Sequence, residues 1–233
     1  AGPGHGQSEN TRPPDRHIHH VCPRLPNLTE PFIGQPMTKA QTDRTLWKDN
    51  GVPVSERFDD PYYSLDNGLA ETRHVFLGGN DLPARFVPGF HIAELGFGTG
   101  LNLIAARLAW RQAGLSGPLR FTSFEAFPMP PEDALQALAA FPEAAEFAQD
   151  TATLLADPKR PLIRDDLEMH LIVGDARATL PAWDGRADAW FLDGFSPAKN
   201  PELWSEDLMA DVARHTLPGG TFATYTAAGF VRR

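Results

Sequence analysis

The stretch Glu94-Leu95-Gly96-Phe97-Gly98-Thr99-Gly100 decides the fold of this chain. It follows a short apolar run that begins at His91, and the apolar residues after it recur at helical spacing as far as Ala113. Glycines at alternate positions let the backbone turn tightly and let a ligand approach closely. The dinucleotide fingerprint needs a glycine at its sixth position, which is Leu101 here, and no Lys-Ser or Lys-Thr pair follows as in a P-loop. The stretch therefore predicts a strand, a glycine turn and a helix, either around another kind of ligand or as a glycine-rich turn without one.

Strand and helix patterns alternate over the rest of the chain. The further predicted strands are 119–124, 169–173, 187–192 and 221–225, and the predicted helices are 101–113, 131–141 and 201–215. Apolar strands that alternate with helices are typical of a parallel sheet covered on both faces. We therefore expect an α/β, Rossmann-like fold with a mostly parallel sheet.

The amino-terminal third differs in composition from the remainder of the chain. Residues 1–36 are rich in proline and polar residues and predict a disordered tail or extension, in which His17, His19, His20 and Cys22 are solvated rather than a metal site. Residues 37–90 form an N-terminal segment, in which 71–77 and 84–87 flank a glycine-rich turn and predict a small β-hairpin. Residues 91–233 form the main domain, and no metal site is predicted anywhere.

Composition limits the classes of function that are open to the chain. Its 42% hydrophobic content suffices for one core, and it has no apolar run of the length that a membrane helix or signal peptide needs. The single cysteine excludes an internal disulfide, so we expect a cytoplasmic protein without a membrane partner. The net charge of −9 argues against a broad basic surface for nucleic acid, although it leaves local arginine contacts open.

Carboxylates end three of the predicted strands. An acidic residue at a strand end followed by Gly-x-Gly-x-Gly resembles motif I of class I S-adenosylmethionine methyltransferases. The resemblance implies that Glu94, Gly96, Gly98 and Gly100 bind this cofactor, that Glu125 accepts hydrogen bonds from its ribose and that Asp175 contacts its adenine amino group. Taken singly, each carboxylate fits a solvated loop or a helix cap equally well.

The most specific stretch runs from Trp190 to Asn200 and on to Trp204. Asp193 ends the fourth core strand there, at the sheet edge where ligands of open parallel sheets bind, in a loop rich in aromatic, proline and amide side chains. With further motifs, the stretch resembles the methyltransferase domain of the MnmC family, whose stand-alone members are called MnmD. The resemblance runs from about Leu46 to Arg233, and the further motifs are Phe58-Asp59-Asp60-Pro61-Tyr62-Tyr63, Asn67-Gly68, Glu71-Thr72-Arg73, Val75-Phe76-Leu77-Gly78-Gly79-Asn80 and 224–233.

The resemblance implies methylation of the aminomethyl nitrogen at carbon 5 of uridine 34, in the anticodon region of tRNA. The product would be 5-methylaminomethyluridine, with or without 2-thiolation. In this interpretation Asp193 contacts the cofactor, positions the amine and accepts its proton if needed, while Phe195 stacks on the uracil and Asn200 shapes the loop. Tyr63 and Asn67 would contact the cofactor or the base from a lid.

The chain departs from the family pattern in two ways. Bifunctional members carry a second, FAD-dependent oxidase domain, which would here be a separate partner or a missing half. Fewer strands are predicted than the seven of a class I sheet, so we expect the C-terminal strands to be truncated. A small-molecule N-methyltransferase and a cofactor-binding scaffold for an oxidase remain alternatives, as does a nicotinamide-dependent oxidoreductase, which the glycine spacing disfavours.

Overall fold

The computed structural model describes residues 1–2, 42–64 and 68–226. Contacts divide the chain into Ala1–Pro36 and Met37–Arg233, and the second unit carries all the elements below. Apart from residues 1–2, the expected tail with its histidines and Cys22 lies outside the described residues, as do Asn67 and the last seven residues.

The described chain contains nine strands and six α-helices. The strands are β1 Thr45–Trp47, β2 Pro53–Ser55, β3 Asp60–Pro61, β4 His91–Leu95, β5 Leu119–Glu125, β6 Leu162–Arg164, β7 Leu167–Val173, β8 Ala187–Leu192 and β9 Thr216–Thr224. The α-helices are α1 Gly68–Thr72, α2 Leu101–Gln112, α3 Pro131–Leu138, α4 Ala145–Ala156, α5 Ala176–Thr179 and α6 Glu206–Arg214. A π-helix follows α1 at Arg73–Gly78, and 3₁₀ turns occupy Pro142–Ala144 and Pro201–Trp204.

Six strands form the main sheet in the order β6-β7-β5-β4-β8-β9. All neighbours are parallel except β6, which pairs antiparallel with β7. Leu95 pairs with both Phe124 and Leu192, so the loops after β4, β5 and β8 leave the sheet at one edge. The predicted mostly parallel, Rossmann-like sheet is confirmed.

Alternation along the strands divides the core between the two faces of the sheet. Ile92 and Phe191 belong to a large cluster with residues of α2, α3 and α4, whereas their neighbours Ala93 and Trp190 belong to a second cluster with α5 and α6. Successive side chains of a strand point to opposite faces, which is why a strand buried on both faces is apolar throughout. Helices therefore cover both faces, as expected.

The predicted hairpin at 71–87 is wrong. The first predicted strand is instead the end of α1 and the π-helix, and residues 84–87 belong to a turn and loop. Phe76 and Leu77 are buried in the larger core cluster, so core packing outweighs the strand preference of this Thr- and Val-containing segment. A small antiparallel sheet does occur before the main domain, but it is formed by β1, β2 and β3.

The segment Gly79-Asn80 attaches the π-helix to the sheet. Asn80 is fully buried, and its Nδ2 donates to the carbonyls of Phe76 at 2.9 Å and Trp190 at 3.2 Å. Thr221 Oγ1 donates to Asn80 Oδ1 at 2.6 Å. Arg85 adds hydrogen bonds to backbone carbonyls of Asp188 and Gly219 at 3.1 Å. Arg85 is therefore occupied in joining the strands rather than free to bind a phosphate.

Other boundaries also differ from the expectation. Helix α4 and strand β6 were not predicted, and the predicted helix at 201–215 is interrupted at Ser205, whose hydroxyl accepts a hydrogen bond from the Leu208 amide and caps α6. Strand β9 begins at Thr216, five residues before the predicted start, and includes the glycines that were expected to stop the helix. Within the part of the chain that the structure describes, no helix combines the length and apolar character needed to cross a bilayer.

A buried ion-pair network links α2 to the strand layer. Arg107 donates to both oxygens of Asp166 at 2.8 and 2.7 Å and to Asp150 at 2.7 Å. Arg111 also donates to Asp166, at 2.5 Å. Burial raises the pKa of Asp166, but the hydrogen bonds from these two arginines outweigh it and lower the pKa to about 2. The network holds α4 and the turn before β7 against α2.

Candidate functional site

A cavity of about 930 Å³ opens where the loops after β4, β5 and β8 meet. Its wall includes Gly96, Gly98, Glu125, Asp175 and Asp193, which the sequence predicted at separate strand ends. Pockets of this size bind small molecules and cofactors, and the carboxyl edge of a parallel sheet is where they bind. The cavity is therefore the candidate active site.

The glycine loop packs too closely on its neighbours to carry side chains. Gly96, with φ of +88°, would place a Cβ 2.2 Å from the carbonyl oxygen of Asp193. Gly98, with φ of +52°, faces the cavity, and its Cβ would lie 3.2 Å from the ring of Tyr62. Gly100 does not line the cavity, and its Cβ would meet the methyl group of Thr151 at 2.7 Å. Two of the three glycines therefore shape the cavity, and the third serves packing.

Glu125 holds the glycine loop in place. Its Oε2 accepts hydrogen bonds from the amides of Phe97 at 2.9 Å and Gly98 at 3.2 Å, and its Oε1 accepts one from Phe127 at 2.8 Å. Burial raises the pKa of this carboxyl, and the three amides partly offset that effect. A carboxylate can accept about four hydrogen bonds, so Glu125 retains room for one further donor from the cavity.

Glu94 lies behind the cavity wall rather than in it. It is fully buried, and its two oxygens accept hydrogen bonds from Asn102 at 2.8 Å and Ser123 at 2.6 Å. Burial raises its pKa well above the ordinary value, and the nearby Asp193 adds to the effect. Of the residues predicted to bind the cofactor, Glu94 and Gly100 are therefore the two that the structure places outside the cavity wall.

Asp193 stands at the carboxyl end of β8, beside the glycine loop. Its Oδ2 accepts a hydrogen bond of 2.6 Å from Asn102, and its backbone amide donates to the carbonyl of Leu95. Burial raises the pKa of Asp193 to about 7, although the hydrogen bond from Asn102 lowers it in part. This carboxyl therefore changes its charge near neutral pH, as groups that handle protons at active sites often do.

Phe195 belongs to an aromatic cluster on the cavity wall. The Phe58 ring stacks on it at 4.8 Å between centroids, and the Tyr62 ring meets it edge-on at 5.2 Å. Trp204 is only 3% exposed, and its indole N–H donates to the Phe195 carbonyl at 2.9 Å. Trp204 is thus a core residue that holds the Phe195 backbone.

Three further predicted site residues, Asp175, Asn200 and Tyr63, also line the cavity. Asp175 caps α5, accepting from the Arg177 amide at 2.9 Å, and its pKa is lowered first by the Arg177 side chain. The Tyr63 hydroxyl donates to the Ala137 carbonyl at 3.2 Å. Asn67 lies outside the described residues.

The sequence did not single out several residues of the wall. Tyr62 rather than Tyr63 covers the glycine loop, and its hydroxyl donates to Asp43 at 2.8 Å. Burial, followed by the Asp43 charge, raises the pKa of Tyr62. Strand β3, which precedes Tyr62, is attached to the Asp193 loop, because Asp60 accepts a 3.0 Å hydrogen bond from the Ser196 amide. The position of Tyr62 in a family motif was the available signal, whereas Asp43 and Asn102 had none.

A glycine loop, strand-end carboxylates and a parallel sheet with helices on both faces define a class I S-adenosylmethionine-dependent methyltransferase fold. Residues 141–233 match a family described as S-adenosyl-L-methionine-dependent methyltransferase. The chain is 46% identical over 207 residues to a protein of Aeromonas hydrophila, the tRNA 5-methylaminomethyl-2-thiouridine biosynthesis bifunctional protein MnmC. This alignment covers 82% of the chain. The Vibrio cholerae MnmC is 46% identical over 221 residues and covers 87% of it. The chain belongs to the MnmC methyltransferase family.

A solved structure agrees with this assignment. MNMC2 from Aquifex aeolicus matches with a TM-score of 0.61 and 25% identity, over 82% of this chain and 62% of that one. The chain spans about a third of the length of the MnmC relatives, 31% and 32% for the two named above.

Proposed function

We propose that this domain methylates the aminomethyl nitrogen at carbon 5 of wobble uridine 34 in tRNA, giving 5-methylaminomethyl(-2-thio)uridine. The observation that carries the proposal is Asp193, a carboxyl with a pKa near neutrality that lies against the glycine loop in the cavity. The relatedness to proteins named for 5-methylaminomethyl-2-thiouridine biosynthesis supports this choice of substrate.

The residues of the cavity fit S-adenosylmethionine. Gly96 and Gly98 expose the loop backbone to the cavity, and Glu125 retains an unused acceptor position for a hydroxyl group. Aromatic rings and carboxylates share the same wall, which suits a ligand that is both cationic and partly apolar. When bound, the cofactor supplies a methyl group on a sulfonium. Gly96, Gly98, Glu125, Asp175 and Tyr63 are the residues we assign to holding it.

Asp193 orients the substrate amine and holds its proton. A primary alkylamine is mostly protonated at neutral pH and must lose a proton before it can accept a methyl group. A carboxylate whose pKa is about 7 can accept a proton at physiological pH and release it again. Alignment of the amine by the same carboxylate adds to the rate, because methyl transfer depends on an in-line approach.

The aromatic wall receives the base. A nucleobase of the anticodon loop must leave its stack to reach a cavity of this kind, and aromatic faces are the usual support for such bases. We assign this support to Phe195, with Asn200 shaping the loop beside it. One face of Phe195 is already stacked on Phe58, so the base would use its other face or displace the Phe58 ring.

The net charge of −9 implies that few phosphates are bound by this part of the protein. Arg57 is exposed at the cavity rim, with its guanidinium over the ring of Phe127 at 4.0 Å. Lys199, also at the rim, pairs with Asp59 and Asp60, so a phosphate would have to compete with these carboxylates. We therefore expect a local contact with the anticodon loop in the cytoplasm, with further tRNA contacts made by a flavin-dependent oxidase domain or partner.

Transfer of labelled methyl from S-adenosylmethionine to tRNA tests the proposal. The substrate is tRNA from cells that lack this last methylation, and fully modified tRNA is the control. Label in the first and none in the second is the expected result. A folded chain that binds the cofactor but labels neither tRNA would overturn the proposal and favour a small-molecule amine substrate or a scaffold for an oxidase.

A further inference from the structure

Asn102 connects two carboxyl groups that stand on different strands. It lies in the first turn of α2 and is only 4% exposed. Its Nδ2 donates to Glu94 Oε1 at 2.8 Å and to Asp193 Oδ2 at 2.6 Å. A side-chain amide has two N–H hydrogens, so both are used by these carboxyls.

The two carboxyls differ in their surroundings. Glu94 is fully buried, does not line the cavity and has its second oxygen bound by the Ser123 hydroxyl. Asp193 lines the cavity, and among the described residues its side chain accepts a hydrogen bond from Asn102 on one oxygen. Burial raises the pKa of both carboxyls; hydrogen bonds from Ser123 and Asn102 oppose this effect at Glu94, and the hydrogen bond from Asn102 opposes it at Asp193.

We propose that Asn102 is a positioning residue for methyl transfer, which holds the Asp193 carboxylate toward the substrate amine while Glu94 accepts the other hydrogen of its amide. The inference rests on the proposed function. It assigns to Glu94 an indirect role, through Asn102, in place of the cofactor contact that its strand-end position suggested.

Asp193 has few other partners that would set its charge. Among the described residues, the titratable groups that interact with it are Glu94 on β4 and Tyr225 after β9. Glu125 on β5 raises the pKa of the neighbouring Glu94. Lys199 lies on the same loop, but it binds Asp59 and Asp60. Asn102 is thus the side-chain donor that favours the ionised form of Asp193.

The direct test is a titration of the free chain. Carboxyl ¹³C NMR of an aspartate-labelled chain, with the Asp193 signal assigned by Asp193→Asn, measures its midpoint. In Asn102→Leu, which keeps the side-chain shape but lacks the donor, we expect the midpoint to rise from about 7 to about 8. In Asn102→Ser, whose hydroxyl group can donate one hydrogen bond, the Asp193 midpoint should lie between those of wild type and Asn102→Leu. This variant provides the test if Asn102→Leu does not fold. Unchanged midpoints in folded variants would overturn the proposal.

Kinetics provide the second readout. Asn102→Leu should lower kcat about 10- to 100-fold, leave KM for S-adenosylmethionine within about twofold and move the acid limb of the pH profile upward. Thr122→Val is the matched control. Thr122 lies next to Ser123 on β5, and the substitution removes a buried 2.9 Å hydrogen bond to His91. It should lower stability without moving the acid limb, and an equal movement in both variants would contradict a positioning role. The titration needs no substrate, so a wild-type chain that fails to methylate tRNA would overturn the proposed function but leave this test decisive.

Discussion

At the scale of single residues, Asp193 is the centre of the proposed chemistry. The residue directly follows β8. Its backbone carbonyl lies against Gly96 of the glycine loop, and its side chain faces the cavity. A carboxyl in this environment titrates near neutrality because burial opposes its charge. Both activity and stability should therefore depend on this one group.

We expect Asp193→Asn to reduce methyl transfer about 10²- to 10⁴-fold, because the amide keeps the shape but cannot take a proton. Binding of S-adenosylmethionine, measured by calorimetry, should change less than about threefold, since we assign several other wall residues to holding the cofactor. A variant with wild-type turnover would exclude Asp193 from catalysis.

The same substitution should affect stability in a pH-dependent way. The folded-state pKa of Asp193 is about 7, above its unfolded value, so the stability it contributes is full below about pH 4 and is lost as pH rises through 7. Relative to wild type, Asp193→Asn should therefore gain stability between these pH values. We expect a gain of about 1–2 kcal/mol at pH 8 in urea unfolding, since the cavity leaves the carboxyl partly solvated. A difference that is constant with pH would contradict the raised pKa.

At the scale of elements, the turn between β4 and α2 depends on the absence of side chains. Gly96→Ala would place a methyl group 2.2 Å from a backbone oxygen, and we expect it to cost about 3 kcal/mol or more and to abolish cofactor binding. Gly114→Ala is the matched control, because φ is also positive, at +65°, but nothing lies within 4 Å. It should cost only about 1–2 kcal/mol in denaturant unfolding. Equal costs would show that conformation alone, and not crowding, selects glycine at position 96.

The attachment of the π-helix to the sheet is a second element with a measurable contribution. Asn80→Leu removes three hydrogen bonds and leaves the Trp190 carbonyl and Thr221 hydroxyl without this partner. We expect a loss of about 2–3 kcal/mol in unfolding free energy. Asn50→Leu, an exposed residue that accepts one bond from Val52, should cost about 0.5 kcal/mol. Similar losses for both would argue against Asn80 as the link.

The elements differ in how well the sequence predicted them. Strands β4, β5 and β8 were recognised because they are apolar runs that end at glycines or carboxylates. The helical structure of the segment from Glu71 to Leu77 was not recognised, because its β-branched and alternating residues favour a strand locally. In the folded chain the segment is helical, and Phe76 and Leu77 are buried in the core.

At the scale of the whole molecule, the network around Arg107 holds α2 and α4 to the strand layer. Arg107→Met should destabilise the chain by about 3 kcal/mol, since it leaves Asp150 and Asp166 partly buried with fewer partners. Arg44→Met breaks an exposed 2.9 Å pair with Glu56 and should cost less than about 0.5 kcal/mol. Chemical denaturation of both variants measures the difference in unfolding free energy. A loss of less than about 1 kcal/mol for Arg107→Met would contradict the stabilising role of the network.

The network also predicts the response of the whole molecule to acid. The folded-state pKa of Asp166 is about 2, below its unfolded value, so its stabilising contribution is present above about pH 4 and is lost as pH falls through 2. Wild-type stability should therefore decline over this window. In Asp166→Asn the decline should be smaller, as measured by urea unfolding between pH 5 and pH 2, and an identical acid limb in the two chains would contradict the assignment.

The sequence by itself determined the class of fold and the strand ends at which the site lies, because hydrophobic periodicity and glycine spacing are local properties. It also singled out Asp193 and Phe195, since the loop that carries them is an unbroken motif. Only the tertiary structure decided that Glu94 lies behind the cavity, that Glu125 holds the glycine loop and that Asn102 reaches a carboxyl 91 positions away. Those roles depend on which side chains the packed strands bring within hydrogen-bonding distance and on how deeply each is buried, and neither quantity is encoded in a local pattern.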